Sequence, residues 1–457
     1  MRLMKKSGAV GMDMLHGSML DKMLLFALPL AAGSILQQLF NSVDVAVVGR
    51  FSSSQALAAV GANSSVISLL VNLFVGISVG ANVVIANLIG RGEQKRVRRA
   101  VHTSLSLALI SGVLMMTVGL IIARPLLELM STPENVIDMA VLYLRIYCLS
   151  MPFSMFYDFG ASILRSVGDT KRPLICLVAA GLLNAALNLF FVIVCNLSVS
   201  GVAIATVISN VLSAGLMLYF LQRTDEKVRV NIKALCLDRR ELLQILRIGI
   251  PAGIQGVVFS VANVCIQSSV NSFGSDAVAG SSVAVNFEMF SYYAVNGFNS
   301  AVMTFVSQNL GAGNLNRCKR AYGIGMTCAV VTVLILNTCV FLARNPLIRI
   351  FTVDSAVADF AVQRMSIVLL THFLICSYEI TGSALRGLGR SLVPAALTVF
   401  GTCVLRIVYV NTVVAVHHSY HILMLVYPVS WIMTGLMVVI AFFIVWRKLR
   451  KPEKLSN

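Results

Sequence analysis

The stretch that decides the fold reads QQLFNSVDVAVVG and covers residues 37–49. It ends an apolar run, residues 23–49, which is long enough to cross a bilayer because a span takes about 20 residues. At helical spacing Gln37, Asn41 and Asp44 fall on one face of this span. A charged group at membrane depth costs roughly 2.5–3.5 kcal/mol, so we expect that face to line water or neighbouring helices.

Two interpretations of Asp44 follow from its position. In the first, its carboxylate is an ion- or proton-coupling group, which is the usual role of an ionisable residue inside a span. In the second, it lies close enough to the outer interface to be solvated, since Arg50 follows about two turns later. We favour the coupling role.

The composition is that of a polytopic membrane protein. Apolar residues make up 58% of the 457 and charged residues only 12%, whereas soluble domains carry about 25%. The formal charge of +17 does not indicate nucleic acid, because the basic residues lie in short loops where they set topology. The ten cysteines have no metal-ligand spacing, and we expect buried free thiols and no metal site. We identify no removable signal peptide.

Apolar runs of spanning length recur along the whole chain, and each is too long and too continuous for a membrane β-barrel strand. The sequence therefore predicts an all-α protein with twelve transmembrane helices. The predicted spans are 23–49, 55–89, 99–123, 135–164, 173–196, 199–222, 245–271, 277–310, 319–343, 357–386, 392–416 and 421–446.

The loop charges predict the orientation. With both termini in the cytoplasm, 29 Lys and Arg residues lie inside and 4 outside, and the opposite orientation would invert this ratio. We expect a multi-pass protein of a prokaryotic cytoplasmic membrane.

The chain also repeats itself. Leu164-Arg165-Ser166-Val167-Gly168, followed by Pro173, matches Leu385-Arg386-Gly387-Leu388-Gly389, followed by Pro394, at an offset of 221 residues. Gly90-Arg91-Gly92, which we interpret as a helix-ending turn, matches Gly311-Ala312-Gly313 at the same offset. Six spans separate the copies, so both have the same orientation, and such parallel repeats place a substrate site at their interface.

This repeat sets the predicted domain organisation. The segments are a cytoplasmic N-terminal segment 1–22, an N-lobe 23–222, a cytoplasmic inter-lobe loop 223–244, a C-lobe 245–446 and a cytoplasmic basic tail 447–457.

At this point the chain resembles the multidrug and toxic compound extrusion (MATE) transporters. The matching motifs are Asn41-Ser42-Val43-Asp44 with Gly49, Ala58-Ala59-Val60-Gly61, Tyr143-Leu144-Arg145-Ile146-Tyr147, the stretch from Leu164 to Pro173, and Gln308-Asn309-Leu310-Gly311-Ala312-Gly313. The resemblance implies two six-helix lobes around a central cleft. It also implies export of organic, often cationic, compounds in exchange for protons or sodium ions.

The resemblance also assigns candidate coupling residues. Asp44 matches the family's first-helix carboxylate, with Asn41 on the same stripe. Asn184 and Asn188 match positions where the family often has Asn and Asp, and Asn188 leaves one carboxylate fewer for a hard cation. The seventh-helix glutamate of one branch is missing here. Proton antiport is therefore favoured over sodium antiport.

Four more ionisable groups lie inside spans. Asp158 and Glu379 are repeat copies, each seven residues before its motif arginine, and they are candidates for an inner gate or for pairing with basic groups at that end. Glu288 and Arg406 lie deeper, and we expect them to form an ion pair or to act separately in a wet cleft. We favour Glu288 as a contact for cationic substrates.

The seventh predicted span carries a second polar stripe. Gln255, Asn263, Gln267 and Asn271 lie in i+4 register, with Phe259 at the intervening position. Amides inside a span can simply bond one helix to another. Because this span is the copy of the first, we favour the interpretation that they, with Gln37, line the substrate cleft. Inside the fourth span, Pro152 predicts a bend.

The resemblance therefore implies a secondary antiporter that works by alternating access. Because the sequence has no metal constellation, no nucleophile with a base in register and no phosphate-binding glycine loop, we do not expect an enzyme. We expect no cofactor beyond the transported H⁺ or Na⁺. The expected partners are small organic molecules and the bilayer, without nucleic acid, and the expected state is a monomer. The alternative is a flippase for a lipid-linked oligosaccharide or another amphiphile, which would need a cleft rich in cations.

Overall fold

The computed structural model describes residues 11–130 and 132–450. Residues 1–10 and 451–457, parts of the two predicted cytoplasmic ends, lie outside the described residues. The described chain is helical and forms no strand, as predicted. The α-helices are α1 (Met19–Phe51), α2 (Ser54–Arg91), α3 (Gln94–Leu129), α4 (Glu134–Cys148), α5 (Met151–Ser166), α6 (Lys171–Leu189), α7 (Ser198–Gln222), α8 (Arg239–Asn271), α9 (Ser275–Gly311), α10 (Leu315–Leu342), α11 (Arg344–Arg349), α12 (Ser355–Arg364), α13 (Ile375–Gly387), α14 (Leu392–Val399), α15 (Leu405–Tyr409), α16 (Tyr420–Met424) and α17 (Val426–Arg450).

The helical segments follow the twelve predicted spans. Ten segments of the described chain are long and apolar enough to cross a bilayer, and there are eleven if α4 and α5 form one bent span. The bend between α4 and α5 is 48° and lies beside Pro152, so the predicted bend is confirmed. The remaining predicted span is α9, a continuous helix of 37 residues. It is not among the apolar segments, because it carries Glu288 and many Asn and Ser residues.

The chain forms two compact units. Unit 1 contains the described residues up to Ser18, Ala32–Gly253 and Gly311–Gly313. Unit 2 contains Met19–Ala31, Ile254–Leu310 and the described residues from Asn314 onward. The first part of α1 therefore belongs to unit 2, and the first part of α8 belongs to unit 1, whereas the sequence assigned each of these helices to one lobe.

Glycines allow α2 and α8 to pack closely in unit 1. A Cβ atom added at Gly76 would lie 2.2 Å from the backbone nitrogen of Gly253, and one at Gly80 would lie 2.3 Å from the carbonyl oxygen of Ile245. A Cβ at Gly249 would lie 2.5 Å from the Cα of Ile77. Each helix thus presents two glycines four residues apart, the small-residue spacing that lets helix backbones approach within a bilayer.

Unit 2 contains the repeat copy of this joint. Gly297 on α9 lies 221 residues after Gly76, and a Cβ there would lie 2.6 Å from the carbonyl oxygen of Ala27 on α1. The same contact between a glycine and a small residue therefore joins the matching helices in both units.

The repeated Leu-Arg-x-x-Gly motif ends a helix. Gly168 and Gly389 have φ angles of 88° and 76°, in the left-handed region that favours glycine. The backbone N–H of the next residue then donates to the carbonyl of the motif leucine, at 3.0 Å for Leu164 and 2.9 Å for Leu385. This is a Schellman cap, which satisfies carbonyls that the helix end leaves open.

The charged segment after α7 is fixed to the start of α3. The backbone N–H of Asn231 donates to Nε2 of His102 at 3.2 Å, and the backbone N–H of Asp238 donates to the hydroxyl of Thr103 at 3.0 Å. Glu241, at the start of α8, is buried and binds the guanidinium of Arg96 at 2.7 Å. The segment that connects the repeat copies is therefore part of the packing of unit 1.

We expect Gly76→Ala to destabilise the protein by about 1–3 kcal/mol, because the added methyl group meets backbone that cannot rotate away. The check is the apparent Tm of the purified protein in detergent. Gly215→Ala on α7 is the matched control: nothing lies within 4 Å of its added Cβ, and alanine favours helix. Equal Tm values for both variants would contradict the tight joint.

Candidate functional site

The Asp44 carboxylate of α1 is held by an amide on α6. Nδ2 of Asn188 donates to Oδ1 of Asp44 at 2.5 Å, and the same nitrogen lies 3.2 Å from Oδ1 of Asn184, one turn earlier on α6. Asn188 has no exposed surface. The structure thus brings together three of the four residues predicted for cation coupling.

The hydrogen-bonded chain continues to α7. Nδ2 of Asn184 lies 3.4 Å from the hydroxyl of Thr206, and that hydroxyl donates to the carbonyl of Val202 at 3.0 Å. Oδ1 of Asn188 is buried and has no hydrogen-bond partner among the described residues. A buried acceptor next to a carboxylate can receive a proton donor or a cation, which makes this a candidate coupling site.

Apolar side chains pack around the segment of α1 that carries Asp44. Val43, Val47 and Val48, which flank Asp44 on α1, pack in a hydrophobic cluster that includes Tyr143 and Val192. Within the described residues, no Lys, Arg or His nitrogen lies within 4.0 Å of the Asp44 carboxylate. Arg50 therefore does not neutralise it, and among the described side chains the Asn188 amide is the hydrogen-bond partner of the carboxylate.

Two other residues of the stripe predicted on α1 are exposed and do not join the buried group around Asp44. Asn41, the fourth coupling candidate, and Gln37, a cleft candidate, are both exposed on α1. Neither belongs to the hydrogen-bonded chain of Asp44. Helical periodicity placed Asn41 about one turn from Asp44, but it does not determine which of the two side chains packs against α6.

The duplicated acids Asp158 and Glu379 occupy different surroundings. Asp158 makes no salt bridge with a described base. Oε2 of Glu379 accepts from Nδ2 of Asn299 at 3.0 Å. Neither acid therefore forms a salt bridge with a described basic group. A gating role for either acid stays a prediction.

The second polar stripe does not act as one surface. Gln255 is buried, and its Oε1 accepts from Nη2 of Arg386 at 2.8 Å, so it fixes the motif arginine. Asn263 and Gln267 are exposed, and Gln267 donates to Asn271 at 3.1 Å. Whether the exposed pair contacts substrate stays a prediction.

Glu288 forms an ion pair that the sequence did not predict. Its carboxylate accepts from Nε of Arg364 at 2.7 Å and from Nη2 at 2.9 Å. The side chains of Arg364 and Glu288 are only 5% and 6% exposed. The expected pair of Glu288 with Arg406 is not formed, because both carboxylate oxygens already bind a planar guanidinium with matching geometry. This arrangement also argues against Glu288 as a free contact for cationic substrates.

Arg406 lies in the same part of unit 2 without a carboxylate. Its Nε donates to Ser430 at 3.0 Å, and its guanidinium carbon lies 4.9 Å from the ring centre of Tyr427 and 6.0 Å from that of Phe259. The same Tyr427 ring lies 5.1 Å from the guanidinium of Arg364. Sequence reasoning missed Tyr427 and Thr206, because an aromatic ring or a threonine in a span is usually a packing residue.

Irregular helix turns accompany these buried polar groups. The described chain contains the π-helical turns Phe190–Val194, Met365–Leu369, Phe400–Val404 and Val410–Val414. The first follows Asn188, the second follows Arg364, and the last two lie on either side of Arg406. Turns of this kind are frequent at functional sites, and their positions mark the same two groups of residues.

Comparisons with known proteins agree with the fold and the repeat. The family model MatE matches residues 29–190 and again residues 251–412. The chain is 28% identical to the probable multidrug resistance protein YoeA of Bacillus subtilis, over 83% of each chain. It is 29% identical to the probable multidrug resistance protein NorM of Thermotoga maritima, over 81% of each chain. The outward-facing structure of a multidrug resistance MATE family transporter superimposes with a TM-score of 0.90 over 98% of this chain and 99% of that one, at 22% identity.

We expect Glu288→Gln to lower stability by about 3–5 kcal/mol, because it leaves the Arg364 cation buried without a counterion. The double variant Glu288→Gln with Arg364→Met should recover much of this loss. Apparent Tm values in detergent measure both effects. Glu128→Gln breaks an exposed pair with Arg124 and should leave the apparent Tm nearly unchanged, because water screens such pairs. A double variant no more stable than Glu288→Gln would contradict the pairing.

Proposed function

The chain belongs to the MatE family, and we propose that it is a secondary antiporter that exports organic, often cationic, compounds in exchange for protons by alternating access. The observation that carries the proposal is the Asp44 carboxylate. It lies inside a span, contacts an amide and has no base within 4.0 Å among the described residues. Such a group can change its charge within the membrane.

Protonation of Asp44 would rearrange a hydrogen-bonded chain that joins three helices. Asn188 now donates to the carboxylate. A protonated carboxyl group would itself donate, and the unpartnered Oδ1 of Asn188 is the acceptor within reach of an amide rotation. That rotation would alter the bonds of Asn188 to Asn184 and of Asn184 to Thr206. In this way the charge of α1 would bias the positions of α6 and α7.

Sodium is the less favoured coupling ion. The oxygens available to a cation here are those of Asp44, the two amides and one hydroxyl, with a single formal negative charge. Hard cations prefer several oxygen ligands and more carboxylate charge. A proton needs only the carboxylate and one neighbouring acceptor, so the donor set suits a proton better.

The relatives support drug export as the role, since their names describe probable multidrug resistance proteins. The flippase alternative requires a group of cations that could bind a pyrophosphate. Arg364 is neutralised by Glu288, which leaves Arg406 as the buried arginine without a carboxylate in that cluster. One such cation favours a small organic substrate over a pyrophosphate.

We expect Asp44→Asn to abolish proton-driven export while the protein still inserts and folds, because asparagine keeps the shape but cannot exchange a proton. Efflux of a fluorescent organic cation from proteoliposomes, under an imposed proton or sodium gradient, measures this. Asp138→Asn removes an exposed carboxylate and should leave export unchanged. Full export by Asp44→Asn would exclude the coupling role, and export driven by sodium alone would exclude proton coupling.

We expect Asn188→Leu to reduce proton-driven export at least about tenfold, because it removes both the donor to Asp44 and the free acceptor. Asn41→Leu, at an exposed position of the same helix as Asp44, should retain export within about twofold. The same efflux assay compares them. Equal losses would show that the amide chain is not part of the coupling.

A further inference from the structure

Arg406 is an incompletely bonded cation in the interior of unit 2. Only 2% of the residue is exposed. Its Nε is bonded to Ser430, but Nη1 is buried and has no hydrogen-bond partner among the described residues. Leaving a guanidinium N–H buried and unpartnered is costly, so such a group indicates a partner that the protein itself does not provide.

The surrounding side chains do not supply a counterion. Within the part of the chain that the structure describes, no carboxylate oxygen lies within 4.0 Å of an Arg406 nitrogen. Glu288, the acid of this cluster, binds Arg364 through both oxygens. Tyr427 and Phe259 offer ring faces at 4.9 and 6.0 Å, which attract a cation without neutralising it. The cluster therefore carries a net positive charge.

The internal repeat allows Arg406 to be compared with the corresponding residue of unit 1. The two MatE matches are 222 residues apart at both ends. The offset is 221 at Pro173 and Pro394, and the π-helical turn Phe400–Val404 accommodates one extra residue before Arg406, which then corresponds to Asn184 of unit 1. In unit 1 this helix position contributes an amide to the chain that holds the Asp44 carboxylate. In unit 2 the corresponding position contributes a fixed cation, while Asp44 itself corresponds to Ile266. This position is therefore neutral in unit 1 and positively charged in unit 2.

We propose that Arg406 anchors an anion-binding site in unit 2 that takes the carboxylate of a transported organic compound. The proposal rests on the proposed export function and specifies its substrates: they include zwitterions and organic acids as well as cations. A carboxylate accepts two parallel N–H bonds from a guanidinium, which matches the unpartnered Nη1.

Access to Nη1 requires a small rearrangement. The atom is covered in this structure, but Tyr427 and Phe259 are only half-buried. The π-helical turns Phe400–Val404 and Val410–Val414 border the helix segment that carries Arg406. Rotation of the Phe259 ring would uncover one side of the guanidinium, whereas rotation of Tyr427 would also break the long bond that its hydroxyl accepts from Nη2 of Arg364 at 3.5 Å. Both carboxylate bonds of Glu288 to Arg364 would remain.

The test compares two forms of one dye. The probes are a rhodamine with a free carboxylate and the methyl ester of the same dye, which keeps the cationic ring system and lacks the negative charge. Binding to the full-length protein in nanodiscs is measured by fluorescence anisotropy without any ion gradient. Failure of ion-driven export would therefore not affect the result, and the two proposals can fail separately.

We expect Arg406→Gln to raise the Kd of the free-carboxylate dye by about tenfold or more and to change the Kd of the ester by less than about twofold. Arg349→Gln, which removes an exposed arginine of the same unit, should change neither. Arg406→Lys keeps the charge but loses the planar donor pair, so it should weaken the carboxylate dye less than Arg406→Gln does. It also serves as the test variant if Arg406→Gln does not fold.

Equal weakening of both dyes by Arg406→Gln or Arg406→Lys would overturn the proposal and leave Arg406 as a structural link to Ser430. A second experiment tests whether the site binds chloride in place of an organic carboxylate. If chloride raises the apparent Tm of the wild type but not of the variant, while the wild type binds both dyes equally, the site holds an inorganic ion and the organic-carboxylate proposal fails.

Discussion

Inside a bilayer, a polar group that has left water finds no partner in the lipid, and the rest of this structure depends on that constraint. The chain satisfies it in three ways. Arg364 receives a complete partner, the carboxylate of Glu288. Asp44 receives an amide and, within the described chain, no base within 4.0 Å. Arg406 receives a hydroxyl and two aromatic rings and retains a buried N–H without a partner among the described residues. The last two are the incomplete cases, and incomplete compensation is what leaves a group able to bind a proton or a solute.

The joints between helices explain how such groups can be held in place. Lipid gives no hydrophobic drive for helix association, so close backbone packing has to provide it. In unit 1 the glycines of α2 and α8 bring backbone atoms together where any side chain would collide, and Gly297 and Ala27 do the same in unit 2. These contacts involve atoms with no rotamer freedom. They fix the positions of helices such as α1 and α9, which carry Asp44 and Glu288.

The sequence predicted the elements that depend on local signals and missed those that depend on three-dimensional neighbours. Hydropathy and loop charge are local, so the all-α fold and the spans could be predicted, and the resemblance assigned Asp44, Asn184 and Asn188 to one site. The partner of Glu288 could not be predicted, because Arg364 and Arg406 both lie inside spans and only packing decides between them. Gln255 gave the same polar signal as Asn263, yet it fixes Arg386. Thr206 gave no signal, since a threonine hydroxyl in a span usually bonds its own helix, which it also does here.

A duplicated scaffold can therefore carry two different chemistries. The motif glycines, the small-residue joints and the helix order repeat along the chain, and these features set the backbone. The side chain at the position of Asn184 and Arg406 is not part of any of those joints, so an amide and a cation can occupy it on the same backbone plan. Fold alone does not determine function. In this chain the two units repeat the same backbone but differ in their buried charged residues. In our proposal, that difference in charge selects the substrate.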